Sequence, residues 1–124
     1  MWILHVGHAF LGLGLVARGA ARLLPAAVPP SAATHLLAVG AIAVLCLGMM
    51  TRVALGHTGR PLVVPRPAIA GYLVLLAAVG LRVAAAWWPA LLDASATAFA
   101  LAFVLFLASY LVILVRPRAD GAPG

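Results

Sequence analysis

Apolar residues run almost unbroken along this chain, and proline, glycine and arginine clusters interrupt them at only a few places. The first run extends from about 2 to 24 and is closed by Pro25 and the turn-forming stretch Val28-Pro29-Pro30-Ser31. A second, from about 33 to 55, ends in Gly56-His57-Thr58-Gly59-Arg60-Pro61, where two glycines and a proline oppose helix continuation. A third covers about 68 to 88 and finishes in Trp87-Trp88-Pro89, which suits an aromatic anchor at headgroup level. The fourth covers about 95 to 115 and is stopped by Arg116-Pro117-Arg118. Ser31 or Thr34 is placed to cap the start of the second run. Residues 116–124 read as a frayed tail.

Crossing a bilayer core about 30 Å thick takes about 20 helical residues at roughly 1.5 Å rise. Four crossings use about 80 residues, whereas five leave too little for connections and three leave an apolar run unexplained. The pattern therefore predicts an all-α integral membrane protein. Residues 1–124 form one membrane domain of four transmembrane helices, joined by short links in an up-down bundle. The first run does not read as a signal peptide, because its positive residues, Arg18 and Arg22, lie at its far end and none precedes it. Small residues four apart, Gly80/Ala84 and Ala98/Ala102, mark where neighbouring helices are expected to approach closely.

Composition sharpens this reading. The chain is 66% hydrophobic and 8% charged, against about 45–50% and about 25% in soluble domains. A soluble enzyme, a disordered tail and a nucleic-acid-binding domain are excluded; the eight arginines are scattered singly, with no basic stripe to track phosphates. Their distribution instead sets orientation. Arg52, Arg60, Arg66, Arg116 and Arg118 fall on the side shared by the two termini, and Arg18, Arg22 and Arg82 on the other, with Asp93. The positive-inside rule then puts both termini in the cytoplasm. The single cysteine, Cys46, allows no intramolecular disulfide.

Candidate chemistry is sparse. The chain has no glutamate, and Asp93 and Asp120 stand apart, so no general acid/base pair presents itself and an enzyme is the least supported class. Soft and borderline ligands remain: four histidines, Cys46, Met49 and Met50. His5 and His8 share a face of the first helix, and His57 lies just past the second on the same side, one to two turns beyond Met49 and Met50. These groups are expected to converge near one membrane face. His35 opens the second helix at the opposite face and shares a stripe with Cys46 about 16 Å away on a straight helix. Plainer roles stand beside each: adaptable packing for the methionines, a small hydrophobe for Cys46, carbonyl capping for a histidine. Arg82 pairs with an anion such as a propionate, snorkels past the Trp87-Trp88 belt, or pairs with Asp93. The Gly56–Pro61 segment binds an anion, holds a metal ligand, or simply turns the chain.

The run Met49-Met50-Thr51-Arg52-Val53-Ala54-Leu55-Gly56-His57-Thr58-Gly59-Arg60-Pro61-Leu62 resembles the signature of the NnrS family, bacterial membrane proteins associated with the response to nitric oxide and reported to contain haem and copper. His35-Leu36-Leu37-Ala38-Val39-Gly40-Ala41-Ile42 is similar to the family stretch that opens the same helix. Leu4-His5-Val6-Gly7 and the ending Arg116-Pro117-Arg118-Ala119-Asp120-Gly121 also resemble family segments. Family members are several-fold longer, so the likeness is to their C-terminal portion. Two positions depart from it: His8 stands where a tyrosine is expected and Cys46 where a small or hydroxyl residue is expected. The resemblance implies His35, His57, Arg52 and Arg60 as the leading cofactor-binding positions, with His5 next, and does not divide them between haem and copper; with the soft thioether of Met50 added on ligand chemistry, His57, His35, His5 and Met50 are the candidate metal ligands. It further implies haem and copper, and a place in the bacterial inner membrane. The bilayer is the first partner, joined by further transmembrane segments from a partner chain or a second copy. Rival readings are a metal-free accessory subunit, a fragment of a longer multi-span protein, and a small transporter module.

Overall fold

The computed structural model describes residues 1–121. It consists of α1 (Trp2–Leu23), α2 (Pro30–His57), α3 (Arg66–Ala84) and α4 (Leu92–Val115), the last preceded by a 3-10 turn at Pro89–Leu91. Each of the four is long and apolar enough to cross a membrane, and the described residues contain no strand. The all-α four-span expectation holds. The helices form two antiparallel hairpins, α1 with α2 and α3 with α4, and α2 also packs on both α3 and α4. The shared core is built from Ile3, Val44, Leu47, Leu75, Val79 and Phe106, among others.

In lipid, hydrophobic burial does not drive helix against helix; close packing does. On α1, Gly7 receives the Leu45 side chain and Gly14 receives Leu37, while on α2 Gly48 receives Leu4 and Gly40 receives Phe10. A Cβ at Gly7 or Gly14 would lie 2.7 Å and 2.5 Å from those leucines. Between α3 and α4, Gly71 approaches the Ala102 carbonyl so closely that a Cβ would sit 3.1 Å from it. Of the close-approach positions expected from sequence, Ala102 is fully buried, but Gly80 faces open space. Small residues four apart are necessary for such an approach and do not say which face is used.

These contacts fix the register of the first hairpin. Leu4 lies opposite Gly48 and Gly7 opposite Leu45, so His5 is level with residues 46 and 47 of α2.

Helix α2 departs from the sequence reading at both ends and in the middle. It starts at Pro30, with the preceding Pro29 as its N-cap and no side-chain cap, because proline at the first position has no amide to leave unsatisfied. The Thr34 hydroxyl instead donates to the Pro30 carbonyl at 2.9 Å and accepts from Arg18 at 3.1 Å, tying α1 to α2. Leu36–Ala43 is π-helical. Its i→i+5 bonding underwinds the chain, so the straight-helix stripe joining His35 to Cys46 does not carry over. Helix α3 stops at Ala84, leaving Trp87 and Trp88 exposed at the rim.

Candidate functional site

Residues 49, 52, 53 and 56 recur at helical spacing along one face of α2, while Thr51, Ala54, Leu55 and Thr58 on the reverse face are buried. The outward face opens onto a groove of about 430 Å³. Arg52, His57 and Met49 line it, with Arg118 from the C-terminal segment and Leu62 from the following loop.

The segment Gly56–Arg60 stops α2 in a single turn. Gly59 has φ +66°; its N–H donates to the Gly56 carbonyl at 3.3 Å, and the Arg60 N–H donates to the Leu55 carbonyl at 3.0 Å. That pair of bonds is the Schellman motif, and glycine takes the left-handed position without a Cβ penalty. The Thr58 hydroxyl donates to the Ala54 carbonyl at 2.6 Å. Arginines satisfy the carbonyls that remain: Arg60 donates to Thr58 at 3.3 Å and to Ile113 at 3.5 Å, and Arg118 donates to His57 at 3.1 Å. Positive charge there also complements the negative helix ends.

The segment read as a frayed tail is therefore tied down as far as it is described. The Ala119 N–H donates to the Thr58 carbonyl at 2.9 Å, and Arg118 grips Asp120 through two bonds of 2.9 and 2.6 Å. Asp120 pushes the Arg118 guanidinium further up from its already high range, through the hydrogen bond first and then the charge. Residues 122–124 of that expected tail lie outside the described residues.

The sequence-predicted residues divide. His57 and Arg52 share the groove, with Met49 beside them. Met50 is exposed and is not among the groove-lining residues. Arg60 is turned onto backbone carbonyls. His5 is exposed and lies on the reverse of the Leu4-Gly7-Gly14 stripe that meets α2. The register separates its level from that of His57 by about ten helical residues, or about 15 Å along the axis. His35 lies near the opposite rim. Among the described residues, no group of three or more His, Cys, Asp or Glu is gathered closely enough to hold a metal ion.

Two imidazoles are nonetheless oriented. His35 Nδ1 meets the Ser31 carbonyl at 2.7 Å, and His8 Nδ1 meets the Leu4 carbonyl at 2.7 Å. A carbonyl only accepts, so Nδ1 is the donor in each contact, and Nε2 is the ring nitrogen left without a backbone partner. At the opposite rim, Arg82 shares a cavity of about 420 Å³ with Asp93, Ser95 and Val39. Among the described residues the only ion pair is that of Arg118 with Asp120, so Arg82 and Asp93 do not pair.

Sequence reasoning missed Arg118 and Asp120, although a basic residue just past a helix end signals carbonyl capping.

The architecture defines a multi-pass, all-α membrane bundle with a cationic groove at the rim that carries both termini. The NnrS protein family model matches residues 1–118, and the chain belongs to that family. No curated protein and no solved structure matches it.

Proposed function

We propose that this chain is a haem-associated protein of the bacterial inner membrane that takes part in the response to nitric oxide, with its termini in the cytoplasm. The observation that carries the reading is the groove in which His57 and Arg52 stand together beside Met49, in a member of the NnrS family. An imidazole would ligate the iron, and a guanidinium would balance a propionate. His57 would hold the group and Arg52 would balance its charge. Arg118, already engaged by Asp120, would close the groove edge. When bound, haem supplies a redox-active iron. The chain's own residues supply the ligand, the counter-charge and an apolar wall from Val53 and Leu62.

Copper fits this chain alone less well. His5 and His8 are exposed on α1 and His35 is at the far rim, so the donors do not form one set. Polar groups at membrane depth usually face protein or a water-filled cavity rather than lipid. The outward imidazoles therefore support ligand sets completed by a further transmembrane surface, from a partner chain or a second copy. No chemical step is assigned to copper.

The test uses the full chain purified in detergent after expression with added haem precursor. The expected result is a haem absorption band with near-stoichiometric iron, which His57→Ala strips away while His35→Ala retains it. A featureless spectrum with sub-stoichiometric iron overturns the reading. Retention of haem in His57→Ala moves the ligand elsewhere and refutes the assigned groove.

A further inference from the structure

At the rim away from the termini, α3 ends and α4 begins beside a cavity of about 420 Å³, a size that small-ligand sites commonly have. Arg82 stands in the last turn of α3 and Asp93 in the first turn of α4, each at the helix end whose dipole suits its charge. Both line the cavity, Arg82 half-buried and Asp93 exposed, yet they do not close on each other. Among the described residues neither side chain has a hydrogen bond or an ion pair. Snorkelling accounts for an arginine near a rim. It does not account for a carboxylate of opposite sign left unpaired in the same cavity.

The lining is also graded with depth. Asp93 and Ser95 belong to the opening turns of α4, and Phe99 lies further along the same helix, about 9 Å beyond Asp93. Val39 comes from the π-helical stretch of α2, well inside the Pro30 start of that helix at the same rim. Charged and hydroxyl groups thus occupy the rim end, and apolar side chains the end toward the bilayer centre. Phe99 is itself exposed, so the apolar end is continuous with the outer surface that acyl chains cover.

We propose that this cavity binds a phospholipid whose headgroup carries both a phosphate and a primary ammonium, as in phosphatidylethanolamine. Arg82 donates to the phosphate, Asp93 accepts from the ammonium, and an acyl chain runs past Val39 and Phe99. Ser95 adds an acceptor, because its hydroxyl donates to the Leu92 carbonyl at 2.8 Å and its oxygen lone pairs remain for the ammonium. Such a headgroup satisfies both charges at once. An anionic headgroup without an amine meets Asp93 as a like charge, which discriminates against it. This site lies at the opposite rim from the groove of His57 and depends on no cofactor there.

The test is native mass spectrometry of the full chain, released from micelles that hold equal amounts of phosphatidylethanolamine and phosphatidylglycerol with the same acyl chains. The parent is expected to retain phosphatidylethanolamine in preference by up to about fivefold, the scale of a partly exposed ion pair. Asp93→Asn should abolish the preference while both lipids are still retained, and Arg82→Gln should lower retention of both. A parent with no preference, a preference that survives Asp93→Asn, or retention unchanged in Arg82→Gln overturns the proposal. Phosphoethanolamine, the same headgroup without chains, should fail to displace the bound lipid at equal concentration. Displacement under that condition assigns the cavity to a soluble zwitterion and refutes the lipid.

Discussion

Gly59 holds φ at +66°, and the Asp120 carboxylate closes over it, so that a Cβ would lie 2.5 Å from Asp120 Cγ. Backbone and side chain thus exclude a larger residue for separate reasons. Gly59→Ala is expected to lose about 1–2 kcal/mol from the left-handed backbone alone, and more from displacing Asp120 away from Arg118. Gly56, one turn earlier in the groove wall, has nothing within 4 Å of the place a Cβ would take. Gly56→Ala is expected to be neutral or to stabilise by up to about 1 kcal/mol. Denaturant titration in micelles checks both, and equal losses would refute the turn assignment. Arg118 adds a statement about pH. Its pKa is raised in the fold, so its contribution is complete below the ordinary arginine value and is lost only as pH climbs past the raised one. The penalty of Arg118→Gln should accordingly be the same at about pH 6 and about pH 9, well below the arginine range. A penalty that fades between those values would show that Arg118 contributes through some other titrating group.

Between elements, the first hairpin depends on a few missing side chains. A methyl at Gly7 or Gly14 would meet Leu45 or Leu37 side chains within 2.7 Å, with the backbone nitrogens of the same leucines at 3.3 Å. Rotamer changes alone do not relieve a backbone contact. Gly7→Ala and Gly14→Ala are each expected to cost about 1–3 kcal/mol by overpacking. Gly12 and Gly19 on the same helix have open surroundings, and Gly12→Ala and Gly19→Ala should stabilise by up to about 1 kcal/mol. The same unfolding titration separates the two pairs. This contrast shows what could be read beforehand. Long apolar runs with proline and glycine stops are local properties, so four spans were legible in the sequence. Which glycines lie between helices is set by partner residues tens of positions away, and spacing alone pointed to Gly80. The candidate site follows the same division. Arg52 and His57 flank the end of one helix, and the glycines of the Gly56–Pro61 segment, which let imidazole and guanidinium groups come together, are a local signal. Placing His5 near His57 required the interhelical register that Leu4 and Gly48 fix, and no single helix contains that information. The π-helical turn at Leu36–Ala43 was equally invisible, because hydropathy does not distinguish i→i+5 from i→i+4 bonding.

For the whole molecule, an even number of antiparallel spans brings the N-terminus, the Thr58–Pro65 connection and the C-terminal segment to one rim. Arg52, Arg60, Arg66, Arg116 and Arg118 gather there, against Arg18, Arg22 and Arg82 at the other. Two of the five are engaged in the folded state, since Arg60 and Arg118 donate to helix-end carbonyls. During insertion, before those carbonyls exist as caps, all five act on topology, and the positive-inside rule counts flanking arginines. The termini should therefore lie in the cytoplasm. A Cys46→Ala background removes the one native thiol, which is exposed. Ala27→Cys in the exposed α1–α2 link and Ala119→Cys beside the α2 end then report opposite rims. In intact cells with a permeable outer membrane, an impermeant maleimide should label position 27 and leave position 119 untouched until the inner membrane is broken. The reverse pattern would invert the orientation while leaving the bundle intact. Labelling of both positions from the same side would remove the even number of crossings, and with it the shared rim on which the groove, the arginine caps and the tied C-terminal segment all depend.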